Sequence, residues 1–190
     1  MNINYVKFKL EYQRIFDYTN DCLDVKIKNL CKIFNKEDFI SQAKNIIQIA
    51  IEKCKQEPID KDVEKLLHKL KTDGYILICI SKSSNLQAQI KGQHLLEHFD
   101  YIFRTADFGL SKRDSKLYST IASKLKVNPN QIIHIGDAYY DDYIYPQKYG
   151  FNTILYNNKR YTKSCNSLKE LYKKIKIIAK SWLITKYIIY

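Results

Sequence analysis

Hydrophobic and polar positions change rhythm along this chain, and the change divides it. In residues 5–12, YVKFKLEY, Val6, Phe8, Leu10 and Tyr12 alternate with Lys7, Lys9 and Glu11. Strict alternation predicts a half-buried strand. Tyr5, Phe8, Tyr12 and Ile15 also share a helical face, so a helix from Tyr5 is nearly as well supported. Leu23, Ile27, Leu30 and Phe34 then recur at helical spacing, followed by Phe39, Ala43, Ile46, Ile47, Ala50 and Cys54. These predict two amphipathic helices in a small helical unit. Glu57-Pro58 breaks the pattern. Val63, Leu66, Leu67 and Leu70 carry a further helix that Gly74 can cap.

From Tyr75 onward the pattern is α/β. Tyr75–Ile80 is a short apolar run that reads as a covered strand ending at Ser81. Residues 85–99 read as a helix and Tyr101–Phe103 as a brief strand. Asp114–Lys126 is a helix on Leu117, Tyr118, Ile121, Ala122 and Leu125. Ile132–Ile135 is the next strand, residues 142–149 a short helix containing Pro146, and Thr153–Tyr156 another strand. Residues 166–180 form a basic amphipathic helix. Alternation of this kind predicts a mostly parallel, Rossmann-like sheet covered by helices. Right-handed crossovers bring Ser81, Asp137 and Tyr156 to one sheet edge. The segments read as residues 1–57, a helical cap-like unit; 58–165, the α/β core; and 166–190, the basic helix with an apolar tail, SWLITKYIIY.

Composition changes this picture little. The chain has 190 residues, 45% of them apolar, enough for an ordinary core. Its formal charge of +12 arises from 32 basic and 20 acidic side chains. The lysines are spread along the chain, so they read as solvated helix faces rather than a dedicated anion patch. No helix-turn-helix, zinc or RNA-binding signature appears, which argues against specific nucleic-acid recognition. Five scattered Cys without a CxxC pair suit a reducing, cytoplasmic setting. No signal peptide opens the sequence, and no apolar run approaches the ~18 residues that a membrane span needs.

The chemistry-bearing stretch is IIHIGDAYYDD, residues 132–142. Carboxylates at the carboxyl end of a parallel strand can hold a hard cation such as Mg²⁺. The same aspartates could instead cap the turn and the next helix; the Gly-Asp pair alone is a weak signal, but its spacing to the 141–142 pair and Gly150 makes it much more specific. Ser81 can donate to a phosphate oxygen or cap the next helix. Lys112, in GLSKRD, can neutralise charge in phosphoryl transfer or simply face solvent; Lys116 is a weaker candidate. His134, alternating with Ile133 and Ile135, reads as structural. His68, His94 and His98 lie on helices, and the 94/98 pair lacks a third metal ligand.

In their order and spacing these segments resemble the haloacid dehalogenase-like hydrolase superfamily, over about residues 58–156. ILICIS resembles its second motif, with Ser81 as the phosphoryl-binding hydroxyl. GLSKRDSKLY resembles the third, with Lys112 as the family lysine and Arg113 where Pro is usual. IHIGDAYYDD resembles the fourth, placing Asp137 at the Mg²⁺ position and Asp142 as the second acid, with Asp141 between them. The resemblance implies a Mg²⁺-dependent phosphatase acting on a small phosphomonoester. The first motif, a hydrophobic strand ending in DxDx[TV] whose first Asp is the nucleophile, has no counterpart. The nearest match, Phe16-Asp17-Tyr18-Thr19, follows no apolar strand. The family places that strand centrally, between those ending at Ser81 and Asp137, so the sheet is expected to be incomplete. Residues 5–12 could fill the gap, the neighbouring strands could close on one another, or the motif could lie on a longer chain. Little phosphatase turnover is therefore expected. The alternative is a non-catalytic interaction or regulatory domain, with the tail docked on the domain itself or resting at an anionic membrane surface.

Overall fold

The computed structural model describes residues 4–19, 21–56, 60–82, 95–180 and 186–189. They fall into two compact units. The first comprises residues 1–58, 81–94 and 104–111, and the second residues 59–80, 95–103 and 112–190.

The first unit is helical. Helix α1 spans Tyr5–Tyr18, α2 Leu23–Ile33 and α3 Ile40–Gln56. Residues 5–12 are thus helical, not a strand. Asn4 caps α1 by accepting from the Lys7 amide, 3.0 Å away. Ile15 and Phe16 of α1 are buried with Ile27 and Cys31 of α2, while Val6 and Leu10, two of the alternating apolar residues, lie on the outside. The apolar face that counts has a period of 3.6, not 2. Lys26 is also buried here, its Nζ donating to the Phe16 carbonyl at 3.1 Å. Asp17 belongs to helix α1, so the nearest match to a DxD motif is not at a strand end.

The second unit holds the sheet. Helix α4 (Lys61–Thr72) is capped by Asp60 and leads through Gly74, at φ +82°, into β1 (Tyr75–Ser81). Strand β2 spans Tyr101–Arg104, α5 Ser115–Leu125, β3 Ile132–Gly136, α6 Tyr145–Lys148, β4 Asn152–Leu155 and α7 Leu168–Ala179. The last strand, β5, spans Lys186–Ile189. The helix expected over residues 85–99 lies largely outside the described residues, with a short 3₁₀ turn at Leu96–His98. The helix expected over 142–149 is instead a π-helical segment, Tyr139–Ile144, running into α6.

Strand order is β2-β1-β5-β3-β4. The expected gap is therefore filled, and not by residues 5–12 or by closure of β1 on β3. Strand β5 lies between them, parallel to both: Ile188 faces Leu77 on one side and Ile133 on the other, and Ile189 faces Ile78 and His134. Ile188 and Ile189 are buried. These two isoleucines of the tail are thus inside the domain and away from any membrane contact; residues 181–185 and 190 lie outside the description. Leu67 and Leu70 of α4 join Leu77, Ile133, Ile135 and Ile188, together with Leu171, Ile175 and Ala179 of α7, in one core. The other sheet face meets α5, where Tyr118 packs edge-on against His134. Helices on both faces explain why β1, β3 and β5 are almost wholly apolar.

Candidate active site

The site is built on the carboxyl end of β3 and the π-helical segment after it. Gly136 closes β3, and the chain then turns back so that Asp142 crosses directly over that glycine. A Cβ on Gly136 would stand 2.5 Å from the Asp142 Cγ, a distance real Cβ atoms do not tolerate. The glycine is needed for this close approach, not for an unusual φ. Gly136→Ala is expected to push Asp142 out of place and to destabilise the unit by about 1–3 kcal/mol, read by urea unfolding. Wild-type stability in this variant would show that Asp142 does not need that seat.

Asp142 is buried and fully engaged. Its Oδ1 accepts from Lys112 Nζ at 2.7 Å and lies 3.3 Å from His134 Nε2. Its Oδ2 accepts from the Ala138 amide at 3.1 Å. Burial alone would raise its pKa, but the His134 hydrogen bond and the Lys112 ammonium outweigh it and hold the carboxyl well below the usual range. Burial pushes His134 the other way, below the ordinary imidazole value, despite the Asp142 contact. The ring is thus neutral, its Nε2–H facing Asp142, and its buried Nδ1 has no partner among the described residues. His134 is fully buried, in keeping with a structural role, and forms a wall of the Lys112–Asp142 pair. The signal that identifies it is general: a polar side chain on a fully covered strand needs a buried partner.

The loop carrying Lys112 is fixed from behind. Tyr118 Oη donates to the carbonyls of Lys112 at 2.6 Å and Asp141 at 3.1 Å, joining the loop to the π-helical segment. The next residue, Arg113, is drawn in as well, its Nε donating to Asp141 Oδ1 at 2.8 Å. The three acids are therefore sorted into separate tasks: Asp142 holds Lys112, Asp141 holds Arg113, and Asp137 is exposed. The Asp137 carbonyl accepts from Asn158 Nδ2 at 2.7 Å. Lys116 does not join this group: its amide caps onto Asp114, 2.9 Å away, and its side chain is exposed. Ser81 closes β1. Ser81 and Asp137 each stand three residues beyond a register partner of Ile189, Ile78 and His134 respectively.

A Mg²⁺ ion needs several oxygen ligands. Among the described residues no group of three His, Cys, Asp or Glu side chains could hold a metal ion. Both Asp142 oxygens are engaged, and Asp141 is paired with Arg113. Asp137 alone is left facing outward, so the described residues do not fit a complete Mg²⁺ site. Nor does the central strand supply a carboxylate: β5 is Lys186, Tyr187, Ile188 and Ile189.

The family model for haloacid dehalogenase-like hydrolases matches residues 3–156. The chain belongs to that family. Within it, (S)-2-haloacid dehalogenase 4A of Burkholderia cepacia is 31% identical over 100 residues, 52% of this chain and 43% of that protein. Haloacid dehalogenase-like hydrolase domain-containing protein 3 of Danio rerio is 30% identical over 74 residues, 39% of this chain and 31% of that protein. The chain thus spans less than half the length of these curated relatives. Among solved structures, the crystal structure of a dehalogenase matches with a TM-score of 0.63 at 23% identity, covering 89% of this chain and 83% of that one. The 2-haloacid dehalogenase from Pseudomonas syringae pv. Tomato matches at 0.67 and 17% identity, covering 93% and 82%. At these identities the structures show the shared fold. For this haloacid dehalogenase-like hydrolase no described helix is long and apolar enough to cross a membrane.

Proposed function

We propose that this haloacid dehalogenase-like hydrolase domain binds a small phosphorylated molecule and turns it over poorly. The observation that carries the reading is the central strand. Displacement at phosphorus in this fold family needs a reacting carboxylate, and the described residues of β5, Lys186–Ile189, include none. The described residues supply anion-stabilising groups. Lys112, held by Asp142, supplies a fixed positive charge, and Ser81, the last residue of β1, is the hydroxyl that the family resemblance assigns to the same anion. A second reading is favoured by the Burkholderia cepacia relative, whose name is that of a 2-haloacid dehalogenase. In that case the bound anion is the carboxylate of a 2-haloacid. Displacing halide likewise calls for a carboxylate, and the described residues of β5 include none.

Purified protein given MgCl₂ with p-nitrophenyl phosphate, or given 2-chloropropionate, is expected to release neither p-nitrophenol nor chloride above the buffer rate. Calorimetric titration with phenyl phosphate is expected to find one weak site that Ser81→Ala weakens further. Steady turnover of either substrate that Asp17→Asn or Asp137→Asn removes would overturn the proposal and restore a working nucleophile or metal site.

A further inference from the structure

The helical unit contains a feature that the hydrolase reading leaves unused. Helices α1 and α3 both pack on α2. Between α1 and α3, over α2, runs a groove of about 470 Å³. Phe8 and Tyr12 of α1, Phe34 after α2, and Phe39 and Ile46 are among the residues that line it. Its size lies in the ~300–1,000 Å³ range of small-molecule sites. Several lining side chains are large, apolar and substantially exposed, notably Phe39 and Ile46 at 52% and 58%. An apolar surface of this kind signals an occupant.

Charge narrows the identity of that occupant. No carboxylate lines the groove among the described residues, and its one charged lining residue is Lys36. The Lys36 ammonium lies 5.6 Å from the centre of the Phe39 ring, and that of Lys7 lies 5.7 Å from the centre of Phe34. Each cation therefore sits against an aromatic wall of the groove. An apolar body of modest length with a single negative head meets both requirements, the body on the aromatic and aliphatic walls and the head beside Lys36 or Lys7. We infer that the groove between α1 and α3 binds a medium-chain monocarboxylic acid.

Calorimetry on the full chain with octanoate, decanoate and 1-decanol tests this. Decanoate is expected to bind at one site, with affinity rising about fourfold per added methylene. Ile46→Glu, a change at an exposed position whose folding is checked by circular dichroism, is expected to abolish binding. Lys7→Gln with Lys36→Gln should weaken decanoate roughly tenfold and leave 1-decanol unchanged. Equal affinity for decanoate and 1-decanol, no dependence on chain length, or undiminished binding to folded Ile46→Glu would each overturn the inference. So would a dimer in sedimentation velocity that Ile46→Glu dissociates and decanoate does not, because the groove would then belong to a second copy of the chain.

Discussion

Ile188→Asp is expected to unfold the sheet-bearing unit, whereas Ile188→Val should cost only about 0.5–1.5 kcal/mol. Ile188 is 3% exposed, between Leu77 and Ile133, with the α4 and α7 core over it. A carboxylate there has no cation to pair with among its core neighbours, and burying such a group costs several kcal/mol even after it takes up a proton. That is comparable with the whole of a domain's stability, about 5–15 kcal/mol. The strand's position makes the effect larger than its four residues suggest. If β5 leaves, the inner edges of both β1 and β3 lose their hydrogen-bond partners at once. Hydrogen exchange at β1 and β3 amides is the measurement: protection should disappear together on both strands in Ile188→Asp and persist in Ile188→Val. Persistent protection in the Asp variant would mean that β5 is dispensable.

Lys112→Met should cost about 3–5 kcal/mol at neutral pH, the usual result of removing one partner of a buried ion pair. The side chains are 12% and 6% exposed, and the Met leaves Asp142 charged, buried and held only by the Ala138 amide and His134. The loss is therefore electrostatic and has a pH signature. Asp142 has a depressed pKa in the folded protein, so its contribution is complete above the ordinary carboxylate value of 3.8 and fades as pH falls below it. His134 is also depressed, below 6.5, and its contribution likewise fades as pH falls, starting from that higher value. Wild-type stability should thus decline in two stages on acidification. Without Lys112 the Asp142 carboxyl takes up a proton at a higher pH, and the gap between variant and wild type should narrow towards pH 4. Adding Asp142→Asn to Lys112→Met should recover much of the loss, since the amide oxygen still accepts from Ala138. Urea unfolding at pH 7 and pH 4 reads all three. A gap that stays constant with pH would point to lost packing instead.

The parts legible from sequence were those in which a local pattern and its punctuation agreed. Strand β1 is an apolar run between Gly74 and Ser81, and β3 an apolar run closed by Gly136 and Asp137. Helix α5 has both its cap, Asp114, and its stripe. The alternation in residues 5–12 misled because Val6 and Leu10 are apolar residues on an exposed helical face, and exposed apolar residues are ordinary. Strand β5 was hidden for a different reason. Four residues, KYII, carry no periodicity that separates a strand from a short stretch of buried helix. Their place in the centre of the sheet depends on pairing with segments far away in the chain. Within the site, Asp137, Asp142 and Lys112 were recognisable by spacing, but their division of labour was not. Which acid meets Lys112 depends on the π-helical turn and on the absence of a side chain at Gly136. His134 is legible as structural from its isoleucine neighbours, but its polar partner is not, because only the chain's return to Asp142 supplies it.

The strand order also sets a schedule for biosynthesis. A chain leaves the ribosome from its amino end, so the α1–α3 unit can form its short-range contacts early. Strands β1 and β3 follow, yet neither has its inner partner until Lys186–Ile189 emerge. During that interval two apolar edges are open side by side, the situation in which strands pair with the wrong molecule. Slower translation lengthens the interval for a nascent chain of this protein, and chaperones that shield unpaired edges shorten its exposure.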